Sequence, residues 1–186
     1  MEMRPQTKLE PTPLQRCVKN EPLTTAALDL DTSNFGDKDY MQLALDQAAL
    51  AAELGEVPIG AIVTNDDGIV ALAHNRRELD CDPSAHAEFT ALCDAAQQLR
   101  RWRLSDCTVY VTLEPCPMCA GLMQQARIKR CVYAAPDPKA GALGTLYRLH
   151  DDGRLNHSFQ VSSGVLEDES REMLRTFFTQ LRKRSS

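Results

Sequence analysis

The sequence lacks any apolar run that approaches the roughly 20 residues needed to cross a bilayer as a helix. Its first residues, Met1 to Pro5, also lack the basic region and the apolar block of a secretory signal. Acidic residues near the start argue against a transit peptide. We therefore expect a protein without a membrane partner, located in the cytoplasm.

An excess of positive charge is absent as well. The chain has 21 Lys and Arg residues against 26 Asp and Glu residues, and its formal net charge is −5 at pH 7. Bulk electrostatics therefore supply no general attraction to nucleic acid, and we expect no DNA partner. Local basic clusters can still bind phosphate groups.

Cysteine, in contrast, is not scarce, since the chain has seven. Cysteines in a reducing compartment are not expected to form a disulfide framework. Metal binding or simple burial must therefore account for them.

The length of 186 residues suits a single domain with an ordinary core. Residues 1–37 contain four prolines, scattered charges and no sustained periodicity, so we predict a flexible N-terminal extension there. Residues 38–186 are predicted to form the folded domain. A composition of 43% hydrophobic and 25% charged residues supports a globular fold for it.

Helical and strand patterns alternate along that domain. A helical stripe starts at Asp39, and Asp82 and Pro83 are expected to begin a second helix as its N-cap and first residue. The other predicted elements are strands at 59–63, 69–72, 107–113, 130–135 and 159–163, a helix at 117–127 and a C-terminal amphipathic helix. This alternation predicts a three-layer α/β/α sandwich with a central mixed five-stranded sheet.

Two short motifs carry the chemistry, His86-Ala87-Glu88 and Pro115-Cys116-Pro117-Met118-Cys119. A catalytic zinc ion usually takes three protein ligands and leaves one position for water. His86, Cys116 and Cys119 can supply those ligands, and Glu88 can move protons beside them. We therefore predict a zinc site with a neighbouring general acid and base.

Helix geometry constrains this site. Residues two apart in a helix project about 200° away from each other, from the turn of about 100° per residue. His86 and Glu88 can therefore share a site only at a helix end, and we predict the metal beyond the N-termini of both the second and third helices. A Cys-x-x-Cys motif alone would equally suit a redox pair or half of a structural zinc site, for which Cys81 and Cys131 are formal further ligands.

The pattern His-x-Glu followed by Pro-Cys-x-x-Cys is the signature of zinc-dependent nucleobase deaminases. From Asp39 to Arg184 the sequence resembles the tRNA-specific adenosine deaminase family of the cytidine deaminase superfamily. The similar segments are residues 55–61, 74–76, 82–88, 110–121 and 137–142.

This resemblance implies a cytidine deaminase-like fold, one zinc ion per subunit and hydrolytic conversion of adenosine to inosine at the wobble position of a tRNA anticodon. Glu88 would move the proton of the attacking water to N1 of the purine and then protonate the departing amine. Asn75 would hydrogen-bond the base, while Asp137 and Lys139 would meet the ribose and backbone of the target nucleotide.

The resemblance also implies a homodimer that binds the anticodon stem-loop. Basic residues near Trp102, between residues 127 and 130 and at the C-terminus can form a track for RNA phosphates. Any one such cluster is more often an ordinary solvated surface.

Two other functions stay open. One is deamination of a free nucleoside or base, namely cytidine, cytosine or guanine. The other is a regulatory tRNA-binding subunit with a structural zinc ion, a role found in this superfamily where the glutamate is lost. Glu88 is present here, which argues against the regulatory role.

Overall fold

A computed structural model describes residues 31–184 of the chain. Residues 1–30 of the predicted extension lie outside these described residues. The described elements are α1 (Asp37–Glu53), β1 (Gly60–Asn65), β2 (Gly68–His74), α2 (Arg77–Asp80), α3 (Ala87–Gln98), β3 (Thr108–Leu113), α4 (Pro117–Ala126), β4 (Arg130–Ala135), β5 (Gln160–Ser163) and α5 (Glu167–Arg184). None of the helices in this part of the chain is both long enough and apolar enough to span a membrane.

The five strands form one mixed sheet in the order β2-β1-β3-β4-β5. Strand β1 runs antiparallel to both β2 and β3, whereas β3, β4 and β5 run parallel to one another. The Asp66-Asp67 turn joins β1 to β2, and Gly68 follows it with a φ of +114°, a conformation that favours glycine. The predicted mixed five-stranded sheet is confirmed.

Helices cover both faces of this sheet. Strand residues alternate between the faces, so Val109 and Val111 of β3 pack in one core and Tyr110 packs in the other. The first core contains residues of α3 and α4, and the second contains Met41 and Ala44 of α1. Helix α5 packs against β3, β4 and α1, and so lies on the α1 side. The predicted three-layer sandwich is therefore confirmed.

The first helix is attached to the sheet by a charged contact. Arg130 of β4 donates two hydrogen bonds to the Asp37 carboxylate, at 2.8 and 2.7 Å, and the Tyr110 hydroxyl donates a third at 3.0 Å. The hydrogen bonds from Arg130 hold the pKa of Asp37 below its ordinary value. Asp37, the last residue of the predicted extension, is thus the first residue of α1 and contacts the sheet.

The prediction that Asp82 and Pro83 begin the second helix is wrong. The Asp82 carboxylate instead accepts hydrogen bonds from the backbone N–H and the hydroxyl of Ser84, both at 2.7 Å, and so closes a local turn. Helix α3 begins at Ala87, and His86 is its N-cap with extended backbone angles. The short helix α2, which the sequence patterns do not predict, precedes this turn.

Gly60 provides a test of the packing between α1 and β1. A Cβ atom at this position would lie 2.0 Å from the carbonyl oxygen of Ala44 and 2.6 Å from the backbone nitrogen of Ala48. Because a helix backbone cannot yield easily, Gly60→Ala should lower the free energy of unfolding by about 3 kcal/mol in urea titrations. The matched control is Gly121→Ala in α4, where a Cβ meets nothing within 4 Å. Alanine forms helices better than glycine, so this control should raise the free energy of unfolding by about 0.5–1 kcal/mol. Equal effects of the two substitutions would contradict the close packing of α1 against β1 at Gly60.

Candidate active site

Three potential metal ligands meet at the N-termini of two helices. His86 is the N-cap of α3, Cys116 is the N-cap of α4, and Cys119 lies in the first turn of α4. The Nδ1 atom of His86 lies 3.7 Å from Cys116 Sγ and 3.6 Å from Cys119 Sγ, and the three ligand atoms all lie within 4.8 Å of one another. A tetrahedral zinc ion, with bonds of about 2.1 Å to nitrogen and 2.3 Å to sulfur, separates such atoms by about 3.6 Å. This group can hold a metal ion.

Local structure presents the two sulfur atoms. Strand β3 ends at Leu113, and Pro117 takes the first position of α4, where its missing N–H costs nothing. A hydrogen bond from Cys119 lowers the pKa of Cys116 to about 4; burial opposes this shift and a hydrogen bond from His86 adds to it. The same hydrogen bond to Cys116, together with burial, raises the pKa of Cys119. The surroundings of the two sulfur atoms therefore favour the thiolate form at Cys116.

The other cysteines considered as ligands lie elsewhere. Cys81 is exposed at the end of α2, and Cys131 is buried in the core from β4. Among residues 31–184, neither joins the group of three potential ligands. Three protein ligands without a fourth are typical of catalytic sites, whereas structural zinc sites are closed by four.

Glu88 lies beside this group in the first turn of α3 and is only 4% exposed. Burial raises the pKa of its carboxyl group above the ordinary value. Its side chain also interacts with Cys119 and with the charge of His86. A carboxyl group with a raised pKa is a stronger proton acceptor than an ordinary carboxylate, which suits a general base that later acts as an acid.

Asn75 directly follows β2 and is buried. Its segment lies close to the start of α3, which carries the potential ligand His86. The backbone N–H of Asn75 donates to Ile59, at 2.9 Å. The next N–H, that of Arg76, donates to the carbonyl of Ala85 at 3.0 Å, and Ala85 immediately precedes His86. The strand end that carries Asn75 is thus joined to the start of α3.

Asp137 and Lys139 lie in the loop after β4, where Asp137 is half-buried and Lys139 is exposed. Both line a groove of about 690 Å³ between this loop and α5. Phe178 of α5 lines the same groove and is 40% exposed, whereas Phe177 is half-buried. The described residues that line the groove include none of the three potential metal ligands. The structure therefore places Asp137 and Lys139 in a neighbouring groove.

Glu114 connects that groove to the group of three potential metal ligands. The sequence patterns do not predict this role. The buried carboxylate of Glu114 accepts backbone hydrogen bonds from Asp137 at 3.1 Å and from Leu143 and Thr145 at 3.0 Å, as well as one from the Thr145 hydroxyl. Burial alone would raise the pKa of Glu114, but these hydrogen bonds lower it below the ordinary value. Since Glu114 lies two residues before Cys116, it positions the Asp137 loop relative to the potential metal ligands.

Some predicted phosphate-binding residues have partners within the protein. Arg130 pairs with Asp37, as described above, and Arg101 donates a hydrogen bond to Asp106 at 2.6 Å. The Arg103 guanidinium lies 4.7 Å from the centre of the exposed Trp102 ring. Arg130 therefore has a structural role in addition to any contact with RNA.

Comparison with known proteins gives the family of the chain. The family model for MafB19-like deaminases matches residues 35–182. The tRNA-specific adenosine deaminase of Bacillus subtilis is 48% identical over 148 residues, which cover 80% of this chain and 92% of that protein. A solved structure from work on A-to-I editing by tRNA:A34 deaminases at the wobble position of transfer RNA is 42% identical, has a TM-score of 0.71 and covers 73% of this chain and 99% of the other. The guanine deaminase of Bacillus subtilis is 36% identical with a TM-score of 0.53, over 55% of this chain and 66% of that one.

The open mixed sheet, its flanking helices and the buried acid beside a His/Cys/Cys group define a hydrolytic deaminase with the cytidine deaminase-like fold. Within that class, the high identity over most of both chains decides the family. The chain belongs to the tRNA-specific adenosine deaminases.

Proposed function

We propose that this protein is a zinc-dependent hydrolase that converts adenosine to inosine at the wobble position of a tRNA anticodon. The observation that carries this proposal is the convergence of His86, Cys116 and Cys119 at two helix N-termini beside the buried Glu88. The likeness to tRNA-specific adenosine deaminases over most of the chain supports the choice of substrate.

In this proposal, His86, Cys116 and Cys119 would hold one zinc ion in each subunit. When bound there, zinc would supply Lewis acidity, which lowers the pKa of water. Glu88 accepts the proton of the attacking water and delivers it to N1 of the adenine ring. It then accepts the proton of the hydroxyl group that has formed on C6 and passes it to the amine, which leaves as ammonia, so that adenosine and water give inosine and ammonia.

Other residues orient the nucleotide. Asn75 hydrogen-bonds an edge of the base, and Asp137 and Lys139 contact the ribose and backbone of the target nucleotide. The hydrogen bonds of Glu114 to the loop support the last two roles, because they connect the loop to the segment that carries Cys116. A base in an anticodon loop can be splayed out and read as a single-stranded base, so the enzyme does not need to melt a duplex.

The competing function is deamination of a free base or nucleoside, of cytidine, cytosine or guanine. The similarity to a guanine deaminase is the observation that favours it, although it extends over a smaller part of this chain. A substrate comparison separates the two functions. Zinc-loaded protein is incubated with tRNA whose wobble base is adenosine and, separately, with cytidine, cytosine and guanine. We expect inosine in digests of the tRNA and no turnover of the free compounds; the reverse result would overturn the proposed function.

We also propose a homodimer in the cytoplasm whose macromolecular partner is the tRNA anticodon stem-loop, with neither DNA nor a membrane as a partner. The homodimer is expected to appear as twice the chain mass in light scattering. The flexible character of residues 1–37 and the boundary of the deaminase domain at residue 38 stay predictions.

A further inference from the structure

Glu56 is a buried acid that the proposed chemistry does not use. It lies between α1 and β1, and its side chain is only 1% exposed. One carboxylate oxygen accepts a hydrogen bond from the backbone N–H of Leu79 at 2.8 Å. The other oxygen accepts one from the side-chain nitrogen of Asn75 at 2.9 Å. Glu56 is therefore in direct contact with the residue proposed to read the base.

These two contacts determine which way the amide of Asn75 points. The N–H of Leu79 can only donate, so it requires an acceptor at the first oxygen of Glu56. A carboxylate also has only acceptors, so the second oxygen requires a donor from Asn75. The NH₂ group of Asn75 must therefore face Glu56, and its carbonyl oxygen must face away.

The far end of the amide is available to a ligand. Within residues 31–184 the Oδ1 atom of Asn75 makes no hydrogen bond, and some of its surface remains accessible although the residue is only 4% exposed. The backbone bond between Arg76 and Ala85 joins the segment that carries Asn75 to the residue before His86. Asn75 therefore presents one acceptor and its second N–H donor in a fixed arrangement.

We propose that Glu56 is a positioning residue that makes the site selective for adenine, through its hold on Asn75. This inference rests on the proposed function. Adenine presents a donor at N6 and an acceptor at N7 along one edge, a pair that an asparagine amide matches with two hydrogen bonds. Guanine and hypoxanthine present two acceptors, O6 and N7, on the same edge. Oδ1 would repel O6, so the site distinguishes adenosine from guanosine and also from its own product, inosine.

Glu56→Gln tests this arrangement without a large change in shape. The carbonyl of the new glutamine must accept from Leu79, so its NH₂ group faces Asn75. The amide of Asn75 then rotates and directs its NH₂ group toward the base. Binding is measured in a Glu88→Ala background, which prevents turnover, with RNA anticodon stem-loops that carry adenosine or inosine at the wobble position. We expect the ratio of the adenosine to the inosine affinity to fall about tenfold to a hundredfold.

A second variant separates positioning from general loss of structure. In Glu56→Gln with Asn75→Asp, the glutamine NH₂ donates to one oxygen of the aspartate, and the other oxygen restores the acceptor toward N6. This double variant should regain part of the lost preference for adenosine over inosine. The control is Glu53→Gln, the same change at an exposed position nearby, which should leave the ratio unaltered.

The outcomes distinguish this inference from the proposed function. If Glu56→Gln weakens binding of both stem-loops equally, or the double variant recovers none of the preference, Glu56 does not select the base. Turnover of tRNA by the otherwise unaltered enzyme is measured separately, and its absence would overturn the proposed function instead.

Discussion

Glu88→Ala should lower the rate of deamination by about 10²- to 10⁴-fold, the usual contribution of a general acid and base. The reason is that the attacking water then has no group to take its proton, and N1 of the base has none to supply one. The three potential metal ligands stay in place, so the variant should still bind one zinc ion per chain. Single-turnover assays on tRNA and metal analysis measure the two effects.

Glu88→Gln and Glu53→Ala are the controls for this prediction. Glutamine keeps the shape of Glu88 but cannot carry the proton, so it should be as inactive as alanine. Burial raises the pKa of Glu88, so its ionised form destabilises the fold as the pH rises, and Glu88→Gln should unfold at an equal or higher temperature at neutral pH. Glu53 is exposed, and its replacement should have no effect. Unchanged turnover in Glu88→Ala would refute the proton-transfer role.

Cys116→Ala should lose the metal and, with it, the activity. The substitution leaves His86 and Cys119 as two ligands, and it removes the thiolate that the low pKa of Cys116 makes available at neutral pH. Metal binding to the folded state also stabilises that state, so the midpoint of thermal unfolding should fall. Metal analysis after dialysis and a thermal melt measure these effects.

Cys81→Ala is the matched control for Cys116→Ala, since Cys81 is an exposed cysteine outside the group of potential ligands. It should keep the metal, the activity and the melting temperature. A chelator should lower the melting temperature of this control and of the unaltered protein, but not that of Cys116→Ala. Full metal occupancy in Cys116→Ala would exclude Cys116 as a ligand.

Much of the fold follows from local patterns. The strand predicted at 130–135 agrees with β4, Arg130–Ala135, because a buried strand between a helix and a proline is a local signal. The predicted helix at 117–127 agrees with α4 to within one residue, since Pro117 marks its start. The start of α3 is not predictable in this way. Asp82 can cap a helix or close its own turn with equal local chemistry, and the sequence nearby does not distinguish the two outcomes.

Two buried acids, Glu56 and Glu114, have roles that local sequence does not specify. Glu56 and Glu114 each interrupt an apolar stretch, beside Val57 and between Leu113 and Pro115, and that interruption is the only local signal of a buried acid. Their roles depend on donors from distant segments: Glu56 binds groups 19 and 23 residues away, and Glu114 binds groups 23 to 31 residues away. No residue pattern near either acid specifies those partners.

By itself, the sequence determined the chemical inventory: two cysteines three positions apart at a helix start, a histidine and an acid two positions apart, and the strands and helices that carry them. These features depend on residues within one or two helical turns of each other. Only the tertiary structure brought His86 to Cys116, 30 residues later, and linked the Asp137 loop to the potential metal ligands through Glu114. Such contacts depend on the strand order, in which β1 lies between β2 and β3. They also depend on the burial of both sheet faces by helices that are far apart in the chain.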